Sequence, residues 1–133
     1  MNDDDQIQEQ EEDPVFGEIS CDEAINIAFG SIESLPIFPN VYTGDALSYL
    51  VYTYYVIPEV YAESVSHASR YSIQLHYYLP HKSNPNTVKL AIIQACITYG
   101  FTYPSMTNAS DQEGQHYVFE FEYMNGGGFY SKT

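Results

Sequence analysis

Apolar residues along this chain recur with two alternating periods. In "SCDEAINIAFGSIESL" Ala24, Ile25, Ala28, Phe29 and Ile32 are spaced three or four apart. That spacing predicts an amphipathic helix from about Asp22 to Glu33. Ser20 followed by Glu23 forms a capping box at its start. Gly30 weakens the last turn, and Pro36 and Pro39 in "LPIFPN" forbid continuation. A turn at Thr43 to Ala46 leads into "SYLVYTYYVIPEVY", whose β-branched and aromatic residues predict a strand from Ser48 to Ile57, ended by Pro58. The many small polar residues from Glu59 to Ser69 read as a long excursion between strands.

Strict alternation then returns in "RYSIQLHYYL", Arg70 to Leu79. Tyr71, Ile73, Leu75, Tyr77 and Leu79 share one face; Ser72, Gln74, His76 and Tyr78 share the other. A second helix follows, with Asn84 as cap, Pro85 at the first helical position, a buried stripe of Val88, Ala91, Ile92, Ala95 and Tyr99, and Gly100 as terminator. "FTYPSMT" predicts a short strand interrupted by Pro104, "NASDQEG" a polar turn. "QHYVFEFEYM" predicts a last strand with Tyr117, Phe119, Phe121 and Tyr123 on one face and His116, Val118, Glu120 and Glu122 on the other. The order α-β-β-α-β-β implies an α+β domain, 19–124, with both helices on one face of a mostly antiparallel sheet of about four strands. Met1 to Glu18 reads as a disordered acidic arm and 125–133, with its three glycines, as a flexible end.

Charge narrows the function. Four Lys and Arg against eighteen Asp and Glu give a net charge of −14 among 133 residues. Binding to a phosphate backbone is driven by cations, so this balance argues against it. No charged start is followed by an apolar run and no segment is long enough to span a bilayer, so the expectation is a soluble, cytosolic product with no membrane contact. Cys21 and Cys96 fall among apolar residues in the two helices, which suits reduced, inert thiols.

Chemical signatures are mostly missing. Neither "GDALS" nor "GSIES" has the glycine spacing of a nucleophile elbow, and "GGG" at Gly126 opens no helix to cradle phosphate. These absences predict that the protein is not an enzyme and holds no cofactor. His76 and His116 can meet on the polar face of paired strands with Glu120 and Glu122 nearby, an N/O metal site on paper. Their spacing specifies none, so a hydrogen-bonded or solvated pair is the reading preferred and no metal is expected. Glu120 and Glu122, facing one way on one strand, read as a solvated or ring-lining pair.

The runs "YYLPHKSNP", the helix ending in "YGFTYPS" and "TNASDQEGQHYVFEFEY" resemble the small tail completion or tail terminator proteins of long-tailed bacteriophages and prophages. The resemblance extends back through "YLVYTYYVIPE" and "LPIFPNVY" to the first helix and covers about Ile19 to Tyr123. It implies an α+β fold, no catalysis, and a hexameric ring in the virion that caps the tail tube at its head-proximal end after assembly in the host cytoplasm. The implied partners are further copies of itself, the tail tube protein and a head completion or connector protein. DNA would pass through the ring without sequence-specific binding. The acidic arm is a departure from the family pattern.

Within that frame the tyrosines gain a role. Tyr49, Val51, Thr53, Tyr55 and Ile57 fall on one face of their strand, Leu50, Tyr52, Tyr54 and Val56 on the other, and two short helices cover only one of them. The second face awaits the 59–69 excursion or a neighbouring subunit, making Tyr49, Tyr52, Tyr54 and Tyr55 the expected subunit contacts, Tyr52 and Tyr54 foremost. Glu120 and Glu122 are the expected lumen-facing acids, repelling phosphate. Two other readings stand beside this one. An acidic nucleic-acid mimic would occupy a basic host protein, and a ligand- or sugar-binding module would use the tyrosines as platforms.

Overall fold

A computed structural model describes residues 19–60 and 67–125. The expected arm lies outside them, as do the middle of the expected excursion and all of the expected C-terminal segment but Asn125, which closes β5. The elements are α1 (Cys21–Phe29), a 3-10 turn (Ile32–Ser34), β1 (Ile37–Pro39), β2 (Tyr49–Val60), β3 (His67–Leu79), α2 (Asn86–Tyr99), β4 (Ser105–Asn108) and β5 (Gln115–Asn125). The architecture is α+β, two helices with a five-stranded sheet in the order β1-β2-β3-β5-β4. Every pairing is antiparallel except β1 with β2.

The helices form where the spacing places them. Ser20 Oγ accepts the Glu23 N–H at the start of α1, and Asp22 and Glu23 put negative charge at the positive end of the helix. At α2 the Asn84 side-chain oxygen accepts the Asn86 N–H while Pro85 occupies the cap position. Gly100 ends that helix at φ 84, its N–H returning to Cys96. A side chain there meets the left-handed penalty, so Gly100→Ala is expected to cost about 1–2 kcal/mol, measurable as a lowered urea midpoint at unchanged slope.

One sheet face and one side of each helix form the core. Ala24, Ile25, Ala28 and Phe29 of α1 and Val88, Ile92, Ala95 and Cys96 of α2 close over Leu50, Tyr52, Ile73, Leu75, Phe119, Phe121 and Tyr123. The register explains why these strand residues meet: Tyr52, Leu75 and Phe119 lie side by side, as do Tyr54, Ile73 and Phe121. Phe29, Phe101 and Phe121 make a three-ring cluster with centroids 5.2 to 5.6 Å apart, joining α1, the end of α2 and β5. Both cysteines are buried free thiols, and burial pushes each up to about 12. The Ile19 carbonyl accepts hydrogen bonds from the Tyr123 hydroxyl (2.8 Å) and the Asn125 amide (3.0 Å), closing one corner of the domain.

Three expectations are corrected. The sheet has a fifth strand, β1, so the order is α-β-β-β-α-β-β; three residues bounded by prolines are too few to show a period, and their parallel pairing needs β2 as template. Pro58 does not stop β2, which runs to Val60 opposite His67, so both ends of the expected 59–69 excursion are ladder. Beyond Tyr52 no described strand flanks β2 on that side, and an edge is where a proline's missing N–H is tolerated. Lastly, α1 ends at Phe29 rather than Glu33, because the Gly30-Ser31 pair ends the helix and Ile32 packs from a separate 3-10 turn.

Candidate functional site

The sheet face away from the helices carries Tyr49, Thr53, Tyr55 and Ile57 from β2, Arg70, Ser72, Gln74, His76 and Tyr78 from β3, and His116, Val118, Glu120 and Glu122 from β5. Neither helix lies over it. Aromatic rings cross this face in one continuous row. Phe38 of β1 meets Tyr42 edge-on at 5.2 Å, Tyr42 stacks on Tyr49 at 4.4 Å, Tyr49 on Tyr78 at 4.9 Å, Tyr78 on His116 at 4.2 Å and His116 on His76 at 5.0 Å. Tyr49, Tyr78 and His116 are direct cross-strand neighbours, so register alone brings them together. Tyr42 arrives from the 40–48 loop, where its hydroxyl accepts the Ala46 N–H.

At the end of the row His76 Nδ1 and His116 Nε2 are 2.8 Å apart. One nitrogen must donate and the other accept, so the pair tolerates at most one proton beyond neutrality. Burial lowers the pKa of both rings below the usual 6.5; at His76 the His116 charge adds to this and Glu120 opposes it, while at His116 Asp111 opposes it. The unfolded chain therefore takes up protons first as pH falls. Stability contributed by the pair is complete above about pH 6.5 and declines as pH drops through that value toward the lower folded values. The thermal midpoint of the protein should fall from pH 7.5 to 5.5 more steeply than that of His76→Gln/His116→Gln, and parallel curves would refute the linkage.

The expected carboxylates are engaged on the same face. Glu120 accepts from Gln74 Nε2 (2.7 Å), and Glu122 pairs with Arg70 at 3.4 Å. Among the described residues no three His, Cys, Asp or Glu side chains group as metal ligands.

The four expected contact tyrosines divide between the faces. Tyr49 and Tyr55 stand on the open face; Tyr52 and Tyr54 stand on the helix face. Tyr52 is 3% exposed and covered within its own chain, so the cover expected from a neighbour comes from α1. Its hydroxyl donates to one Asp22 oxygen (2.7 Å) and that of Tyr54 to the other (2.9 Å), a clasp between the first turn of α1 and β2. Burial, then the hydrogen bond to Asp22, pushes the Tyr54 phenol up to about 12 and Tyr52 higher still.

Past this clasp β2 and β3 continue as a paired ladder to Val60 and His67. Tyr54, Tyr55 and Val56 are 37%, 63% and 46% exposed, and alternation sends them to opposite faces. The hairpin thus presents apolar surface on both sides. At the other end of the open face a half-open cleft of about 330 Å³ lies between Tyr49, Tyr78, His116 and the 111–114 turn. Sequence reasoning found the two histidines but missed the ring row and the cleft. Shared alternation of Tyr49, Tyr78 and His116 was the available signal; Tyr42 and Leu47 come from a loop that gives none.

The chain matches no protein-family model and no curated protein.

Proposed function

We propose that this chain is a structural, non-catalytic subunit that closes into a ring, terminates a phage tail tube and joins the tail to the head. The observation that carries the reading is the β2–β3 hairpin, where Tyr55 on one face and Val56 on the other stand exposed beside the partly covered Tyr54. A lone domain gains nothing from such an arm, whereas a head-to-tail contact that closes a ring needs one surface inserted into a different surface of the next copy. Large rings with polar tips suit the rim of such a contact, where part of each phenol stays wet. Tyr55 and Tyr54 are the primary contacts in this arrangement, Tyr49 an adjoining one, and Tyr52 supports the arm from beneath.

The passage for DNA is assigned to the β5 side of the open face, where Glu120 is exposed and Glu122 half-buried. Fixed carboxylates there repel phosphate. The partners are the tail tube protein below the ring and a head completion or connector protein above it.

Native mass spectrometry of the full chain, with negative-stain imaging alongside purified tail tubes, tests the reading. Rings in solution, or caps on one end of each tube, support it. A monomer at every concentration that leaves tube ends bare sinks it. Salt-sensitive capture of a DNA-binding protein, lost on deleting residues 1–18, would favour the acidic mimic instead.

A further inference from the structure

The cleft at the Tyr78 end of the ring row is built from three elements. Its walls are the Tyr49 and Tyr78 ring edges, the exposed Leu47 and the half-buried His116, and its rim carries Asp111 and Glu113; among the described residues no lysine or arginine lines it. At about 330 Å³ it sits at the lower end of the range for specific small-group sites, about 300–1,000 Å³.

The rim is held before anything binds. Asp111 N–H bonds to Gly114 O (3.0 Å), and Asp111 Oδ1 accepts the Glu113 N–H (2.8 Å), leaving its second oxygen for another donor. The turn packs so closely on β3 that a Cβ at Gly114 would lie 3.1 Å from Leu79 O. Gln115 Nε2 bonds to the carbonyls of Pro80, His81 and Ser83, fixing the opposite wall. The Tyr49 and Tyr78 hydroxyls have no hydrogen-bond partner among the described residues. Tyr49, Tyr78 and Asp111 line one space, and burial, then the Tyr49 and Asp111 charges, raises the Tyr78 phenol.

That space offers two carboxylates on one turn, the edges and hydroxyls of two phenols whose faces are already stacked, and the apolar Leu47 side chain. Its complement is a planar cation that carries only donors and sheds water readily, the guanidinium. We infer that this cleft receives an arginine side chain from a basic segment of a partner protein, with Asp111 and Glu113 and the Tyr49 and Tyr78 hydroxyls accepting its N–H groups and Leu47 packing against its stem. An ammonium would keep more of its hydration and brings three donors where the guanidinium fork brings five. The inference goes beyond the ring reading and does not depend on it.

The probe is N-acetyl-arginine methylamide, titrated into the full ¹⁵N-labelled chain at physiological salt, where the general field of a −14 protein is largely screened. Saturable shifts confined to Tyr49, Tyr78 and residues 111–116 are expected, with the uncharged citrulline analogue about tenfold weaker or worse. Asp111→Asn/Glu113→Gln, which keeps the side-chain acceptor of the turn, should weaken the probe by a similar factor. Tyr78→Leu, on another strand, provides an independent loss should the turn variant fold poorly. Shifts spread over the acidic surface, equal binding of citrulline, or unchanged binding by both variants would overturn the proposal. Tighter binding of free arginine than of the blocked probe would also overturn it, marking a small-molecule site rather than a docking one.

Discussion

Truncating Phe29 to alanine is expected to destabilise the domain by about 3–5 kcal/mol, close to the total stability of many domains this size. The ring is fully buried and touches Phe101 and Phe121, so the cavity opens where α1, the end of α2 and β5 meet. No single neighbour can collapse into it, because Phe101 and Phe121 also pack on each other. Urea unfolding followed by far-UV circular dichroism measures the loss. A cost under about 1 kcal/mol would mean that α1 is not integral to the core. Ile27, on the same helix but 40% exposed, is the control position, and Ile27→Ala should stay within about 1 kcal/mol.

The second large effect concerns assembly rather than folding. If the chain closes into the proposed ring through this hairpin, Tyr55→Ser combined with Val56→Thr should weaken self-association about a hundredfold, the loss of a hot-spot aromatic being worth about 2 kcal/mol or more. The same pair should move the thermal midpoint by only a few degrees, because both side chains are largely exposed in the single chain. Tyr54 is left intact, as its hydroxyl holds Asp22. Sedimentation velocity over a concentration series reads the outcome. Rings that persist unchanged would remove the hairpin from the interface.

How much of this was legible in the sequence follows from the physics of each signal. In β3 and β5 one face is buried and the other wet, so alternation named the core residues directly: Ile73, Leu75 and Tyr77, then Tyr117, Phe119, Phe121 and Tyr123. β2 is apolar on both faces. Its alternation sorted the residues into Tyr49 with Tyr55 and Tyr52 with Tyr54, yet carried no information on which set α1 would cover. Pro58 misled because a proline's effect depends on whether its strand has a neighbour on that side, a tertiary fact. β1 gave no period within three residues. The His76 and His116 contact was foreseeable from two alternations and one pairing, whereas the cleft needed the exact register together with the 111–114 turn and the 40–48 loop.

The hydrogen bonds that Ile19 receives from Tyr123 and Asn125 also fix where the domain's two ends emerge. Entry and exit of the chain share a single corner, so a short peptide can bridge them without crossing the sheet. The domain is thereby suited to circular permutation, with new ends opened in the exposed 43–45 turn.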